Sequence, residues 1–144
     1  MSLEYYRDDL VISTDKSKLQ INIIHGFLQN MYWCKNIPIE VVKKSIEHSL
    51  VYGIYAKKDQ IGFARLITDY ATFAYLADVF VINQYRGKGL SKWLMECILD
   101  NPELKTLRTW MLKTKDAHGL YAQFGFIRTK TPERVMELKL IESY

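Results

Sequence analysis

Cysteine is almost missing from this chain: Cys34 and Cys97 are the only two in 144 residues. They are unclustered, and no apolar leader is present in the polar stretch from Met1 to Asp9. The pair therefore reads as free thiols in a reducing cytoplasm, with no disulfide framework. No apolar run approaches the roughly 18 residues that a membrane span requires. The longest runs are interrupted by Asp78 and Asn83, so no membrane partner is expected. Proline is scarce as well, at three residues. There is no Pro/Gly/Ser linker, repeat or low-complexity tract. Residues 1–144 thus read as a single domain, long enough to bury a core without disulfides or metal. No arginine-rich arm accompanies the net charge of +4. A charge of that size fits an anionic ligand such as a nucleotide phosphate, nucleic acid, or simply a solvated surface. The lack of a basic aromatic patch argues against nucleic acid.

What the chain does contain is a sequence of alternating periods. Leu10 to Ser13 suits a first strand. Ile23, Ile24, Phe27, Leu28 and Met31 then recur at helical spacing, and Pro38 is placed to open a second helix carrying Val42 and Ile46. From Leu50 the period shortens. Val51–Ala56 and Ile61–Thr68 form a predicted hairpin across Lys57–Gln60. After a turn at Asp69-Tyr70, Ala71–Ile82 is nearly all apolar, as in a central strand covered on both faces. Leu90, Trp93, Leu94, Cys97 and Ile98 make a helix stripe that Asn101-Pro102 ends. Leu107–Leu112 reads as a strand. Asp116 is placed to cap a short helix bearing Ala117, Leu120, Tyr121 and Phe124, stopped by Gly125. Phe126–Thr129 and Val135–Leu140 are expected as the last strands. A strand–glycine loop–helix–strand unit at the centre makes one parallel pair within a sheet otherwise built from hairpins.

Gly87 and Gly89 lie between the central strand and a helix. Glycine there permits a sharp turn and close approach of a ligand. Free N–H groups at a helix start, together with the helix dipole, favour an anion. Arg86, Lys88 and Lys92 add positive charge. A pyrophosphate suits such a place; a plain turn with incidental basic neighbours is the alternative from spacing alone. A Walker loop needs four residues between its glycines, and here there is one. The dinucleotide fingerprint needs a third glycine where Lys92 stands.

Gln84-Tyr85-Arg86-Gly87-Lys88-Gly89 resembles the Gln/Arg-x-x-Gly-x-Gly/Ala loop of the GNAT N-acetyltransferase superfamily. Leu120-Tyr121-Ala122-Gln123-Phe124-Gly125-Phe126 is similar to that family's Leu-Tyr-x-x-x-Gly-Phe. The segments Thr114–Tyr121 and Pro132–Glu137 resemble a small, largely uncharacterised bacterial-type subgroup of it. The resemblance implies an α+β fold (three-layer α/β in some schemes). Its central sheet is mixed, with a splayed parallel strand pair and about four flanking helices. It also implies an acyltransferase that moves an acetyl group from acetyl-CoA to a primary amine, by direct attack in a ternary complex. A noncatalytic CoA-binding sensor or interaction module is the alternative on the same fold.

Carried over, Phe80 and Val81 would bond pantetheine and polarise the thioester carbonyl. Gln84, Arg86, Gly87, Lys88, Gly89, Leu90, Ser91 and Lys92 would hold the pyrophosphate. Tyr121 matches the tyrosine that protonates the departing thiolate, and its place on the apolar stripe is compatible with that role. Thr114 stands where many members carry an asparagine against pantetheine. Asp78 is a candidate base, a paired structural carboxylate or a solvent-facing one. His118 is a candidate proton carrier or a surface histidine. The family's acceptor site falls near the segment joining the first two helices, so Tyr32 and Trp33 are pocket-wall or core candidates; Asp69 and Tyr70 are further acceptor candidates. The acceptor itself stays open, and exposed strand edges leave a homodimer possible.

Overall fold

Strand-period segments occupy both ends of the first half of the chain and helix-period segments the gap between them. That order lets a meander carry helices on both faces. The computed structural model describes all residues, 1–144. It contains β1 (Glu4–Arg7), β2 (Leu10–Ser13), α1 (Ile21–Leu28), α2 (Ile39–Glu47), β3 (Leu50–Ala56) and β4 (Asp59–Thr68). Then follow β5 (Phe73–Val81), α3 (Leu90–Asp100), β6 (Thr109–Leu112) and α4 (His118–Ala122). The six strands form one sheet in sequence order, with every neighbour antiparallel except the parallel pair β5–β6. This is the expected mixed sheet with four α-helices. No helix is long and apolar enough to cross a membrane.

The alternation of side chains along each strand divides the core in two. On one face Ile12, Tyr52, Ile54, Ala64, Leu66, Ala74 and Leu76 pack against Trp93, Leu94, Met95 and Ile98 of α3. On the other, Val51, Phe63 and Phe80 pack against Ile24 and Leu28 of α1 and Val42 and Ile46 of α2. Both cysteines are free and buried. β5 contributes to both faces in an informative way. Leu76 faces α3, whereas Phe80, four residues on, faces α1. An even separation should keep both on one face. The change comes from a β-bulge: Phe63 pairs with Phe80 and Arg65 with Ala77, so Asp78 and Val79 together stand opposite Ala64. Asp78 takes the left-handed conformation that the bulge requires, φ 56°.

Two expectations fail at the chain's ends. β1 is an additional strand, hidden in a polar edge hairpin that turns at Asp8, φ 53°. Phe126–Thr129 and Val135–Leu140 do not form strands. They have strand-like sequences but pair with nothing within this chain. The expected cap of the short helix is also missing, and a side-chain bond closes the turn before it instead. The Thr114 hydroxyl oxygen accepts from the Ala117 N–H at 2.9 Å, and Asp116 does not cap.

Candidate active site

β6 is short, and that opens the site. It pairs with β5 only from Phe73↔Thr109 to Leu76↔Leu112, so Ala77–Val81 run on without a neighbour on that side. The gap is the mouth of a cleft of about 1030 Å³. One wall is Leu112–Ala117 and Tyr121; the other is Phe27, Met31, Tyr32 and Trp33; the far end is Gly87, Gly89, Leu90 and Ser91.

Backbone direction in the gap follows from one hydrogen bond. Ile82 N–H donates to Ile61 O of the β4 side at 2.9 Å. By alternation Phe80 turns its backbone toward β4, while Val79 and Val81 turn theirs into the gap. Val81 O accordingly accepts from Arg86 Nε at 3.0 Å. Of the two strand residues expected there, Val81 presents its amide to the cleft. Phe80 instead supplies a ring stacked on Phe27 at 4.0 Å. Sequence reasoning missed Val79, because the bulge that sets its direction depends on a strand register.

After a 3₁₀ turn at Asn83–Tyr85 the chain enters α3 through Gly87 (φ 79°) and Gly89 (φ 75°). A side chain at either would be strained. None of the six backbone N–H groups from Gly87 to Lys92 has an acceptor within the chain, and no side chain caps α3. These donors sit at the positive end of an eleven-residue helix. Around them the side chains are deployed unevenly. Arg86 fastens the loop to Val81, with its guanidinium 5.9 Å from the Phe27 ring. Lys88 lies over the Tyr85 ring at 5.1 Å. Gln84, Lys88 and Lys92 are exposed and border the cleft only from outside its lining.

Tyr121 is buried against the core and lines the cleft. Its ring meets Phe126 edge-on at 5.9 Å. Burial pushes the phenol above its ordinary value, so it keeps its proton. Asp78 sits at the bulge with both oxygens engaged. Oδ2 accepts from Arg65 Nε at 2.8 Å and Oδ1 from the Trp33 indole N–H at 3.2 Å. Arg65 also reaches Ser49 Oγ at 3.1 Å. Of the alternatives open for Asp78, the paired one is what forms. Arg65, the one charge within the apolar Ile61–Ile67 stretch of β4, was the signal for this pair and was not read as one. Tyr32 and Trp33 are half-exposed wall residues, set edge to face at 5.1 Å. Lys115 lies 5.4 Å over the Tyr32 ring.

Three candidates lie elsewhere. His118 opens α4 on its exposed side and is not among the cleft-lining residues, although Tyr121 on the same helix is. Asp69 and Tyr70 are at the opposite end of β5, about 26 Å from the loop along a nine-residue strand. Tyr70 borders a separate depression with the N-terminal segment. Asp69 is consumed by its own turn, where it accepts from the N–H groups of Ala71, Thr72 and Phe73.

A splayed parallel pair, an open donor loop and a tyrosine across the gap define an acyl-CoA acyltransferase architecture. The family model described as "Acetyltransferase (GNAT) domain" matches residues 47–128, and the chain belongs to that family. It is an acyltransferase enzyme. It is similar to a solved Xanthomonas campestris protein of the GNAT family: 46% identity, 92% of this chain and 94% of that one, TM-score 0.89. It also resembles a Gibberella zeae protein bearing an acetyltransferase name, FG08082, at 28% identity over 81% of this chain and 78% of that one. A GNAT acetyltransferase from Elizabethkingia anophelis, solved with acetyl-CoA bound, shares the fold at TM-score 0.64 and 16% identity, covering 91% and 88%.

Proposed function

We propose that the chain transfers the acetyl group of acetyl-CoA to a primary amine by direct attack within a ternary complex. The six unpaired N–H groups from Gly87 to Lys92, at the end of a strand that diverges from its parallel neighbour, carry this reading. Buried or ligand-facing donors are ordinarily paired, so a run of free ones at a helix start is a ready place for a pyrophosphate. Lys88 and Lys92 flank it and attract the anion; Arg86 holds the loop in shape. Val79 and Val81 offer backbone groups along which pantetheine can lie as an added strand.

The Val81 N–H then points at the thioester oxygen and takes up the charge that develops there. A neutral amine forms the N–C bond as the C–S bond breaks. The amine's extra proton leaves to water in the open mouth of the cleft. Tyr121 donates its proton to the departing sulfur and recovers one from solvent. Its raised pKa suits this acid role, whereas it disqualifies Tyr121 as a base near neutrality. Asp78 acts by position: paired to Arg65, it steadies the bulge and orients Trp33. Thr114 shapes the turn leading to Tyr121. Tyr32 and Trp33 form the acceptor wall.

CoA binding by calorimetry, followed by thiol release across a panel of amines, tests the reading. Binding with acceptor-dependent release is expected. Tight binding with no release from any amine would leave a CoA-binding module, and no binding at all would sink both.

A further inference from the structure

The charges that line the cleft are unequally occupied. Asp78 is taken by Arg65 and by the Trp33 indole. Glu137 is taken by Lys113. Arg86 is committed to Val81 O. Lys115, Asp116 and Lys139 also line the cleft, and none has a hydrogen-bond or ion-pair partner in the chain. The unengaged groups are therefore two cations and one acid. Lys115 is placed as well as free: its ammonium lies 5.4 Å over the Tyr32 ring.

The aromatic wall beside these charges is exposed but not loose. Tyr32 and Trp33 are 65% and 46% exposed. They meet edge to face at 5.1 Å. Trp33 is pinned by its 3.2 Å bond to Asp78, which Arg65 holds in turn. An aromatic residue whose polar edge is tied down offers its flat face to whatever enters. Met31 and Tyr75 add apolar surface to the same cleft.

We infer that the acceptor is a small molecule in which a single primary amine is joined to an aromatic ring and to an anionic group, as in an aromatic α-amino acid. The inference rests on the acetyl-transfer reading and narrows its acceptor. The ring lies on Tyr32 and Trp33, the anion is met by Lys115 and Lys139, and the amine is left to the gap beside Val81. A polyamine fits poorly. It would face two unengaged lysines and a single unengaged acid, Asp116, because Asp78 and Glu137 are already neutralised. A protein lysine brings neither the ring nor the anion.

Turnover of acetyl-CoA is measured with L-phenylalanine, phenethylamine, L-alanine and spermidine. These carry ring and anion, ring alone, anion alone, and extra cations. The kcat/KM for phenylalanine should exceed each of the others by about tenfold or more. Lys115→Gln should lower the phenylalanine-to-phenethylamine ratio about tenfold, as loss of one charged hydrogen bond does. Trp33→Leu should lower the phenylalanine-to-alanine ratio by up to about tenfold. Such ratios cancel any unfolded fraction of a variant. Calorimetric titration of L-phenylalanine into the CoA-loaded chain reads acceptor binding without chemistry. Saturable binding that Lys115→Gln weakens is expected. Equal or better use of any of the other three amines, or ratios indifferent to both substitutions, would overturn the acceptor class and leave acetyl transfer standing. If CoA binds and no amine is acetylated, the transfer reading fails and the titration decides. Binding would then keep a ring-and-anion ligand for the cleft, and its absence would overturn that as well.

Discussion

The two ends of β5 carry turns of similar polarity and opposite bookkeeping. At the Phe73 end, one carboxylate closes the turn: Asp69 accepts three backbone N–H groups at 2.9, 2.7 and 3.2 Å and the Thr72 hydroxyl at 2.6 Å. Thr68 completes it by accepting from Tyr70 N–H and donating to Phe73 O. At the Val81 end, six consecutive donors have no partner in the chain. A turn that exists only to reverse the chain satisfies itself. One that leaves its donors open is shaped for something outside the chain.

The largest expected effect breaks the open end. Gly89→Val places a β-branched residue at φ 75°. The direct strain is about 1–2 kcal/mol, which the fold should tolerate. The loop must shift to relieve it, and aligned donors lose their common target. CoA affinity should fall about 100-fold, near 2.7 kcal/mol, with a much smaller change in Tm. Calorimetry and thermal melting read the two quantities separately. An unchanged affinity would mean that the open donors are not the binding feature.

A smaller effect is expected across the gap. Tyr121→Phe removes the hydroxyl but keeps the ring that packs on Phe126. CoA binding should be nearly unchanged, while kcat falls roughly 10- to 100-fold, at the low end of general acid catalysis. The pH profile sharpens the assignment. An acid is active while protonated, and burial raises this phenol above its ordinary range near 10. Loss of rate through Tyr121 should therefore appear only above about pH 10, so any limb at lower pH belongs to another group. An equal loss in CoA affinity would make Tyr121 a binding residue instead.

The contrast between the ends also separates what was legible in the sequence from what was not. The glycine loop and the α3 stripe are local patterns, fixed by residues within a dozen positions of each other. Reading them required no partner. The bulge at Asp78-Val79 exists only in the alignment of β5 with β4, and it decides which amides face the gap. Arg65 and Asp78 are thirteen residues apart and become a pair through the same register. His118 was placed near Tyr121 by sequence distance, one turn earlier on the same helix, yet it stands at the exposed first position of α4, outside the cleft lining. The strand pattern after Gly125 misled, because a local alternation does not specify pairing, and these segments join no strand of the sheet. β1 escaped notice because an exposed edge hairpin need not alternate apolar residues.

The smallest functional effect belongs to the closed end. Asp69→Ala leaves three backbone donors to water and should lower Tm, with CoA affinity held within about twofold because the loop is remote. Its pH dependence has a definite sign. The Thr72 hydroxyl and the backbone N–H groups hold the Asp69 carboxyl well below the usual carboxylate range. A depressed folded pKa adds stability above the unfolded value, about 3.9, and loses it as pH falls. The difference in Tm between wild type and variant should therefore be full at pH 6 to 7 and shrink below about pH 4. A difference that stays constant through that range would mean the turn is held by geometry rather than by the charge of Asp69. A fall in CoA affinity would show that the two ends of β5 are coupled through the strand, and that the closed turn helps to hold the open one in place.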